Sequence, residues 1–209
     1  MIPSEELKTL SVRRVGRSRL PTPHGTFIID GYRSLNSNEE WLALHCGDVA
    51  DGAEPVLARV HSQCLTGEVF GSTRCDCGAQ LQIAMERIGR LGRGAIVYQM
   101  QEGRGIGITN KVRAYALQDE GADTVEANHR LGFPSDIRTY WECAEILWDL
   151  GIRRVRLLSN NPQKIAGIEE FGIEVTSREP IEAPFLAERQ EYLLVKKLKL
   201  GHLLDLHQN

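Results

Sequence analysis

The sequence predicts an α/β fold: a mixed sheet with flanking helices, a sheet-rich N-terminal portion and a C-terminal helix. Three observations lead there. Short β-branched and aromatic runs broken by turn residues occupy the first third of the chain. Apolar strand-like runs then alternate with segments of helical periodicity, and an amphipathic stretch follows near the end.

Residues 1–18 are polar and basic without periodicity and read as a loosely held extension before the turn signal LPTPHG, leaving residues 19–209 as one domain. TFIIDGY (26–32) and EWLALHCGD (40–48) are β-rich runs, and PVLARVHS (55–62) alternates apolar and polar residues like a half-buried strand. After Cys77 the period changes. Leu81, Ala84, Met85, Ile88 and Leu91 recur at helical spacing, with Gly92 where a C-terminal stop belongs. GAIVYQM (94–100) reads as a buried strand. Ile108, Val112, Tyr115 and Ala116 give one apolar face to a helix from Ile108 to Glu120, and another helix runs from Ile137 to Leu150 before Gly151. RRVRLLS (153–159) returns to strand, and Asn161 with Pro162 opens the next helix as N-cap and first helical residue. In the tail EYLLVKKLKLGHLLDL (191–206), lysines separate apolar residues at helical spacing; this suits a docked terminal helix or dimer element better than a membrane-surface helix.

A chain of 209 residues that is 42% hydrophobic can bury a sizeable core without staples. No apolar signal core or spanning segment occurs, and the five cysteines are odd in number and unevenly placed, which fits a reducing, cytoplasmic setting. A net charge of −3 argues against a broad nucleic-acid surface, so an anionic ligand must be met by a local cluster of Arg and Lys, and with no spanning segment no membrane partner is expected.

Three of the cysteines, Cys64, Cys75 and Cys77, crowd into CLTGEVFGSTRCDC with spacing C-x10-C-x-C. Three soft donors suit Zn²⁺, whose tetrahedral shell then needs either a fourth protein ligand, for which His61 is the nearby candidate, or water. Buried structural thiols and a redox pair are the competing readings. Cys46 and Cys143 lack such company and read as core. Two loops could meet an anion. EGRGIG (102–107) sits between a strand and a helix, where backbone N–H groups could face phosphate or where tight geometry alone could call for glycine. In SDIRTY (135–140), Asp136 and Arg138 stand two apart, either as a phosphate-binding pair or as a helix N-cap with a solvated Arg. Ser159 and Lys164 flank the NNP helix start and form a further anion candidate.

Taken together, RVHSQCLTGEVFGSTRCDCGAQL, QEGRGIGITNKVRAYALQDEGADTVEANHRLGF and LLSNNPQK resemble GTP cyclohydrolase II, the zinc enzyme that opens guanine at the start of riboflavin synthesis, over Leu20 to Leu204. The resemblance implies a homodimer acting on GTP with Mg²⁺ on the phosphates, and a catalytic zinc held by Cys64, Cys75 and Cys77 with water in the fourth position. It implies GTP contacts at Arg59, Val60, His61, Ser62, Gln63, Gln80, Glu102, Gly103, Arg104, Thr124, Ser159 and Lys164, with Asp136 as proton acceptor, Arg138 as nucleophile and Tyr115 as a catalytic-site residue. Gln63 replaces the family's usual Glu, Ser159 a common Thr, and Gly105 the Asn of EGRNIG. Ser159 keeps the hydroxyl, but the departures at Gln63 and Gly105 leave open a member that stops at a formamidopyrimidine nucleotide or serves a secondary-metabolite pathway. A zinc-stapled nucleotide-binding module without turnover is the alternative from another class.

Overall fold

The computed structural model describes residues 11–205 except 51, 53 and 185. Among them, seven strands build one mixed sheet: β1 (Val12–Thr22), β2 (Gly25–Ser34), β3 (Glu40–Cys46), β4 (Val56–Ser62), β5 (Gly94–Gln99), β6 (Arg154–Leu158) and β7 (Glu174–Glu179). Their order is β1-β2-β3-β5-β4-β6-β7. The first three form an antiparallel meander that joins β5 antiparallel, whereas β5-β4, β4-β6 and β6-β7 are parallel.

The helices are α1 (Leu65–Glu68), α2 (Cys77–Leu91), α3 (Ile108–Asp119), α4 (Thr124–Arg130), α5 (Trp141–Asp149), α6 (Pro162–Glu169) and α7 (Gln190–Leu200). Helices α5 and α6 pack Ala144, Ile146, Leu147 and Ile168 with Val60, Val97 and Leu157 in one core cluster. Ala84 and Ile88 of α2 join Phe27, Leu57, Ile96 and Leu158 in a second. A layer of helix on each face is what parallel strands need, because both of their faces must be covered. No helix among the described residues is long and apolar enough to cross a membrane.

Several elements depart from the sequence reading. The expected loose extension is corrected by β1, which pairs Val12–Thr22 with β2; residues 1–10 lie outside the described residues. Its arginine-rich, mostly exposed pattern is that of an edge strand, where charge discourages further pairing, so it carries no alternation to read. Strand β4 is buried almost throughout rather than half-buried, because parallel neighbours flank it on both sides. On α3, Val112 and Ala116 are exposed, Ala114 is the buried residue, and the inward face carries Lys111 and Tyr115. Helix α5 begins at Trp141 rather than near Ile137, since the Asp136 carboxylate accepts from the Arg138 backbone N–H and holds a turn there. Helix α4 is absent from the sequence reading, although an Asp123–Glu126 capping box marks its start.

The meander is tied together by Asp30, whose side chain has no exposure and accepts hydrogen bonds from Arg17 Nε and Nη2 at 2.7 and 2.9 Å while His45 Nε2 lies 3.1 Å away. Burial alone would raise its pKa, but the hydrogen bonds from Arg17 and the charges of Arg14 and Arg17 outweigh it and hold the carboxyl below its ordinary 3.8. A depressed carboxylate stabilises the fold above its unfolded pKa and loses that contribution as pH falls through the folded one. Asp30→Asn should therefore destabilise the protein by about 2 kcal/mol at neutral pH, as read from urea unfolding. The gap should stay constant down to about pH 5 and narrow below it.

Candidate functional site

Strand β4 is where the parallel order reverses: the chain passes from β4 to β5 on one side and from β5 to β6 on the other. Ligands of open α/β sheets bind beyond the carboxyl ends of the strands at such a point. Here that crevice is a cavity lined by His61 and Ser62 from β4, Glu102, Gly103 and Arg104 after β5, and Ser159 to Asn161 after β6. Helices α2, α3, α4 and α7 close it with Gln80, Lys111, Tyr115, Thr124, Tyr192 and Lys196.

One end is sulfur-rich. The Sγ atoms of Cys64, Cys75 and Cys77 all lie within 4.8 Å of one another, although the residues come from the start of α1 and the loop into α2. Close backbone contact makes this possible. A Cβ on Gly78 would lie 2.2 Å from the Gly67 carbonyl oxygen, and one on Gly67 would lie 2.9 Å from Cys75 Sγ. Hydrogen bonding from Cys75 and Cys77, and then the charge of Lys111, holds Cys64 well below the usual thiol range. Lys111 Nζ sits 3.1 Å from Cys64 Sγ and 2.7 Å from Glu102 Oε1, and Tyr115 reaches the trio through Thr66 at 3.2 Å.

His61 does not complete that trio. Its Nδ1 accepts from Arg59 Nε at 3.1 Å and its Nε2 faces Glu68 Oε1 at 2.8 Å, so both nitrogens are engaged. Because Arg can only donate, the ring is the Nε2–H tautomer, and burial draws its pKa down to about 4. Glu68 also accepts from the Cys64 backbone N–H at 2.8 Å and from Tyr98 at 2.6 Å. The three thiols thus form a soft three-donor set with no fourth protein donor among the described groups, which fits an ion such as zinc with one position open to ligand.

The other end is cationic. Arg138 donates to Asp136 from Nε at 2.9 Å and to Ser62 Oγ from Nη1 at 3.1 Å. Burial opposes its charge, but Tyr140 and Asp136 more than offset that and raise it above the ordinary arginine value. Asp136 is correspondingly lowered: burial would raise it, and the hydrogen bonds and charge of Arg138 prevail. The dull reading of this pair as N-cap plus solvated Arg does not hold, since Tyr140 occupies the cap position and both side chains are largely buried. Lys164 Nζ reaches the Val60 carbonyl at 2.9 Å and Ser62 Oγ at 3.4 Å and lies 5.6 Å from the centre of the Tyr140 ring, and burial followed by the nearby charges of Arg138 and Arg59 lowers its pKa well below normal. Arg104 sits at a left-handed φ of 62°, unusual outside glycine, with a buried Nη1 that has no partner. These cations exceed their counter-charges.

Of the residues singled out from sequence, Arg59, His61, Ser62, Gln63, the three cysteines, Gln80, Glu102 to Arg104, Tyr115, Thr124, Arg138, Ser159 and Lys164 all line this one cavity. Two lie behind it. Val60 has its side chain in the core and offers its carbonyl to Lys164, while Asp136 accepts a hydrogen bond from Arg138. Arg59 is buried, with donors committed to His61, the Leu158 carbonyl and Gln80 Oε1, the last at 2.7 Å. Gly105 has φ 94° and does not line the cavity, so the family's Asn is replaced at a position where glycine suits the backbone. Sequence reasoning missed Glu68, Lys111, Tyr192, Lys196 and His202. No local motif marks them, and the tail, read as a docked terminal helix or dimer element, gives no sign of which lysine turns inward.

A soft-donor cluster opening into a cavity with a cationic far wall defines a candidate metal centre for a polyanionic ligand, built at the switch point of an α/β sheet. The family model for GTP cyclohydrolase II matches residues 13–180, and the chain belongs to that family. It is 55% identical over 199 residues to the riboflavin biosynthesis protein RibBA of Bacillus mycoides (strain KBAB4), covering 95% of this chain and 50% of the relative. To RibBA of Bacillus cytotoxicus it is 56% identical over 187 residues, 90% of this chain and 47% of that one. The chain spans about half the length of the curated relatives it matches. Among solved structures, RibBX, a two-domain 3,4-dihydroxy-2-butanone 4-phosphate synthase from A. baumannii, aligns with TM-score 0.47 and 20% identity over 84% of this chain and 41% of its own, too slight a likeness to carry an argument.

The glycine contact behind the thiols makes a testable demand. Gly78→Ala should force α1 away from α2, costing about 2 kcal/mol and weakening the affinity of the three-thiol cluster for added Zn²⁺ in a direct titration. Gly16→Ala, which meets nothing within 4 Å, should leave both unchanged.

Proposed function

We propose that this chain hydrolyses GTP, opening the guanine imidazole ring and releasing formate and pyrophosphate to give 2,5-diamino-6-(5-phosphoribosylamino)pyrimidin-4(3H)-one, an entry step of riboflavin synthesis. The supporting observation is that a single cavity joins the three-thiol cluster to the surplus cations. A purine nucleoside triphosphate matches such a cavity, with its base at the sulfur end and its phosphates, carrying Mg²⁺, against Arg104, Arg138 and Lys164.

Cys64, Cys75 and Cys77 would hold zinc, which when bound supplies a Lewis acid that activates water for attack on the poorly electrophilic C8 of guanine. Ring opening consumes one water, release of formate a second, and displacement of pyrophosphate at the α-phosphorus a third. At the base end, Arg59 and Gln80 order the wall, His61 stays neutral with its Nε2–H on Glu68, and Glu102 fixes both Lys111 and the Leu65 backbone N–H at 2.6 Å. At the phosphate end, Arg138 is held cationic by Asp136, which suits it to charge stabilisation at the α-phosphorus more than to nucleophilic attack. Lys164 gains most from an anion, which would favour its protonated form against burial and the neighbouring cations. The reading of a zinc-stapled module closed by His61 is disfavoured by the engagement of both ring nitrogens.

Incubating zinc-replete protein with GTP and Mg²⁺ and identifying the products tests this reading directly: formate and pyrophosphate should appear in equal amounts. Pyrophosphate without formate would instead indicate a member that stops at the formamidopyrimidine nucleotide, and neither product would overturn the assignment. Cys75→Ser should lose zinc and formate release because a hydroxyl is a poor soft ligand, whereas Cys143→Ser, a core residue whose thiol donates to Gln99 Oε1 at 3.3 Å, should keep both. Arg138→Ala should retain its zinc while pyrophosphate release falls by about 100-fold or more, measured by a coupled phosphate assay.

A further inference from the structure

The family match ends at residue 180, yet α7 lies beyond it and places Tyr192 and Lys196 on the cavity wall, followed by His202. The segment is anchored from two sides. Lys199 pairs with Asp123 and, at 3.1 Å, with Glu126 on α4, and the Leu203 backbone N–H donates to the Asn160 carbonyl at 2.8 Å. Lys196 is only 7% exposed and Asp76, between the two close cysteines, only 2%. Lys196 Nζ donates to Asp76 Oδ1 at 3.1 Å.

From that ion pair a directed chain of hydrogen bonds runs into the site. Asp76 Oδ2 accepts from Gln80 Nε2 at 2.6 Å, Gln80 Oε1 accepts from Arg59 Nη2 at 2.7 Å, Arg59 Nε donates to His61 Nδ1, and His61 Nε2 meets Glu68. Each link has only one workable polarity. Arg59 cannot accept, so Gln80 must turn its oxygen toward it and its NH₂ toward Asp76, whose Oδ2 accepts. Lys196 Nζ, 3.1 Å from Asp76 Oδ1 and 3.5 Å from Oδ2, spans both carboxylate oxygens and so holds the side chain in the rotamer that faces Gln80.

We propose that Lys196 is a positioning residue for the base end of the site: by pairing with Asp76 it fixes the orientation of Gln80, and through it Arg59 and the His61 tautomer. The inference rests on the GTP-hydrolase reading for its kinetic consequence but not for its structural one. It makes the C-terminal helix part of the site, although no side chain of that helix need touch the reacting atoms.

Three variants test it: Lys196→Met, Lys196→Arg, and Lys196→Met combined with Asp76→Asn. Lys196→Met should keep one zinc per chain and a KM for GTP within about twofold, with kcat lowered about 10- to 100-fold, the range seen when a supporting hydrogen-bond partner is removed. Lys196→Arg should restore most of the loss. The double variant should as well, because the amide oxygen of Asn can still accept from Gln80 while no unpaired charge stays buried. The ¹⁵N resonances of the His61 ring, which report its tautomer whether or not GTP is turned over, should move in Lys196→Met and return in the double variant. Unchanged kcat and unchanged ring resonances in Lys196→Met would overturn the proposal, as would a stable double variant no faster than Lys196→Met, since Lys196 would then act on the nucleotide itself. If Lys196→Met does not fold, the double variant decides alone against the unaltered protein: kcat and ring resonances close to the original support the proposal, and a folded double variant whose kcat stays lowered about 10-fold or more overturns it. Absence of GTP turnover in the unaltered protein would fail the substrate reading only, with the ring resonances still deciding the role of Lys196.

Discussion

The site depends on a charged residue placed in the most buried strand of the sheet. Arg59 lies on β4 between parallel neighbours, and burial lowers its pKa to about 10 without removing its charge at neutral pH. A guanidinium in such a place needs its donors satisfied, and it has them: the Leu158 carbonyl, Gln80 and His61. Each acceptor is then constrained in turn. His61 is left one tautomer, Gln80 one amide orientation, and the two carboxylates Asp76 and Glu68 sit where the chains of hydrogen bonds end. Because Glu68 also receives the Cys64 backbone N–H and Asp76 separates Cys75 from Cys77, satisfying Arg59 also positions the cysteine loops.

The two ends of the cavity are prepared differently. At the sulfur end nearly every polar group already has a protein partner, so the donor set is rigid before any ligand arrives. At the cationic end Lys164 and Arg104 are left with weak or missing counter-charges. That imbalance disfavours the empty site and favours an anion, which is how a cavity can select a polyphosphate without a broad basic surface. The net charge of −3 and the local cluster are therefore compatible.

Much of the architecture was legible where local rules and tertiary demands agreed. The helix after Cys77 ended at Gly92 in the left-handed conformation, and Asn161 caps the helix that Pro162 opens. Reading failed where function had altered the pattern. Helix α3 turns Lys111 and Tyr115 inward toward the cavity, so its apolar residues do not mark its buried face. In the tail, Lys196 looks like its exposed neighbours Lys197 and Lys199 but is buried against Asp76.

By itself the sequence determined which chemistry was available: three cysteines at close spacing, an Asp–Arg pair after a turn, glycines between strand and helix, and motifs specific enough to point to a family. Those are local properties, fixed by residue type and separation along the chain. Only the tertiary structure decided that the sulfur and cationic groups share one cavity, that His61 has no nitrogen left for a metal, and that a lysine beyond the family match supports the arginine at its centre. The reason is that the partner of a buried charge is chosen by proximity in the folded core. Lys196 and Asp76 are 120 positions apart in sequence, and nothing local in either stretch names the other.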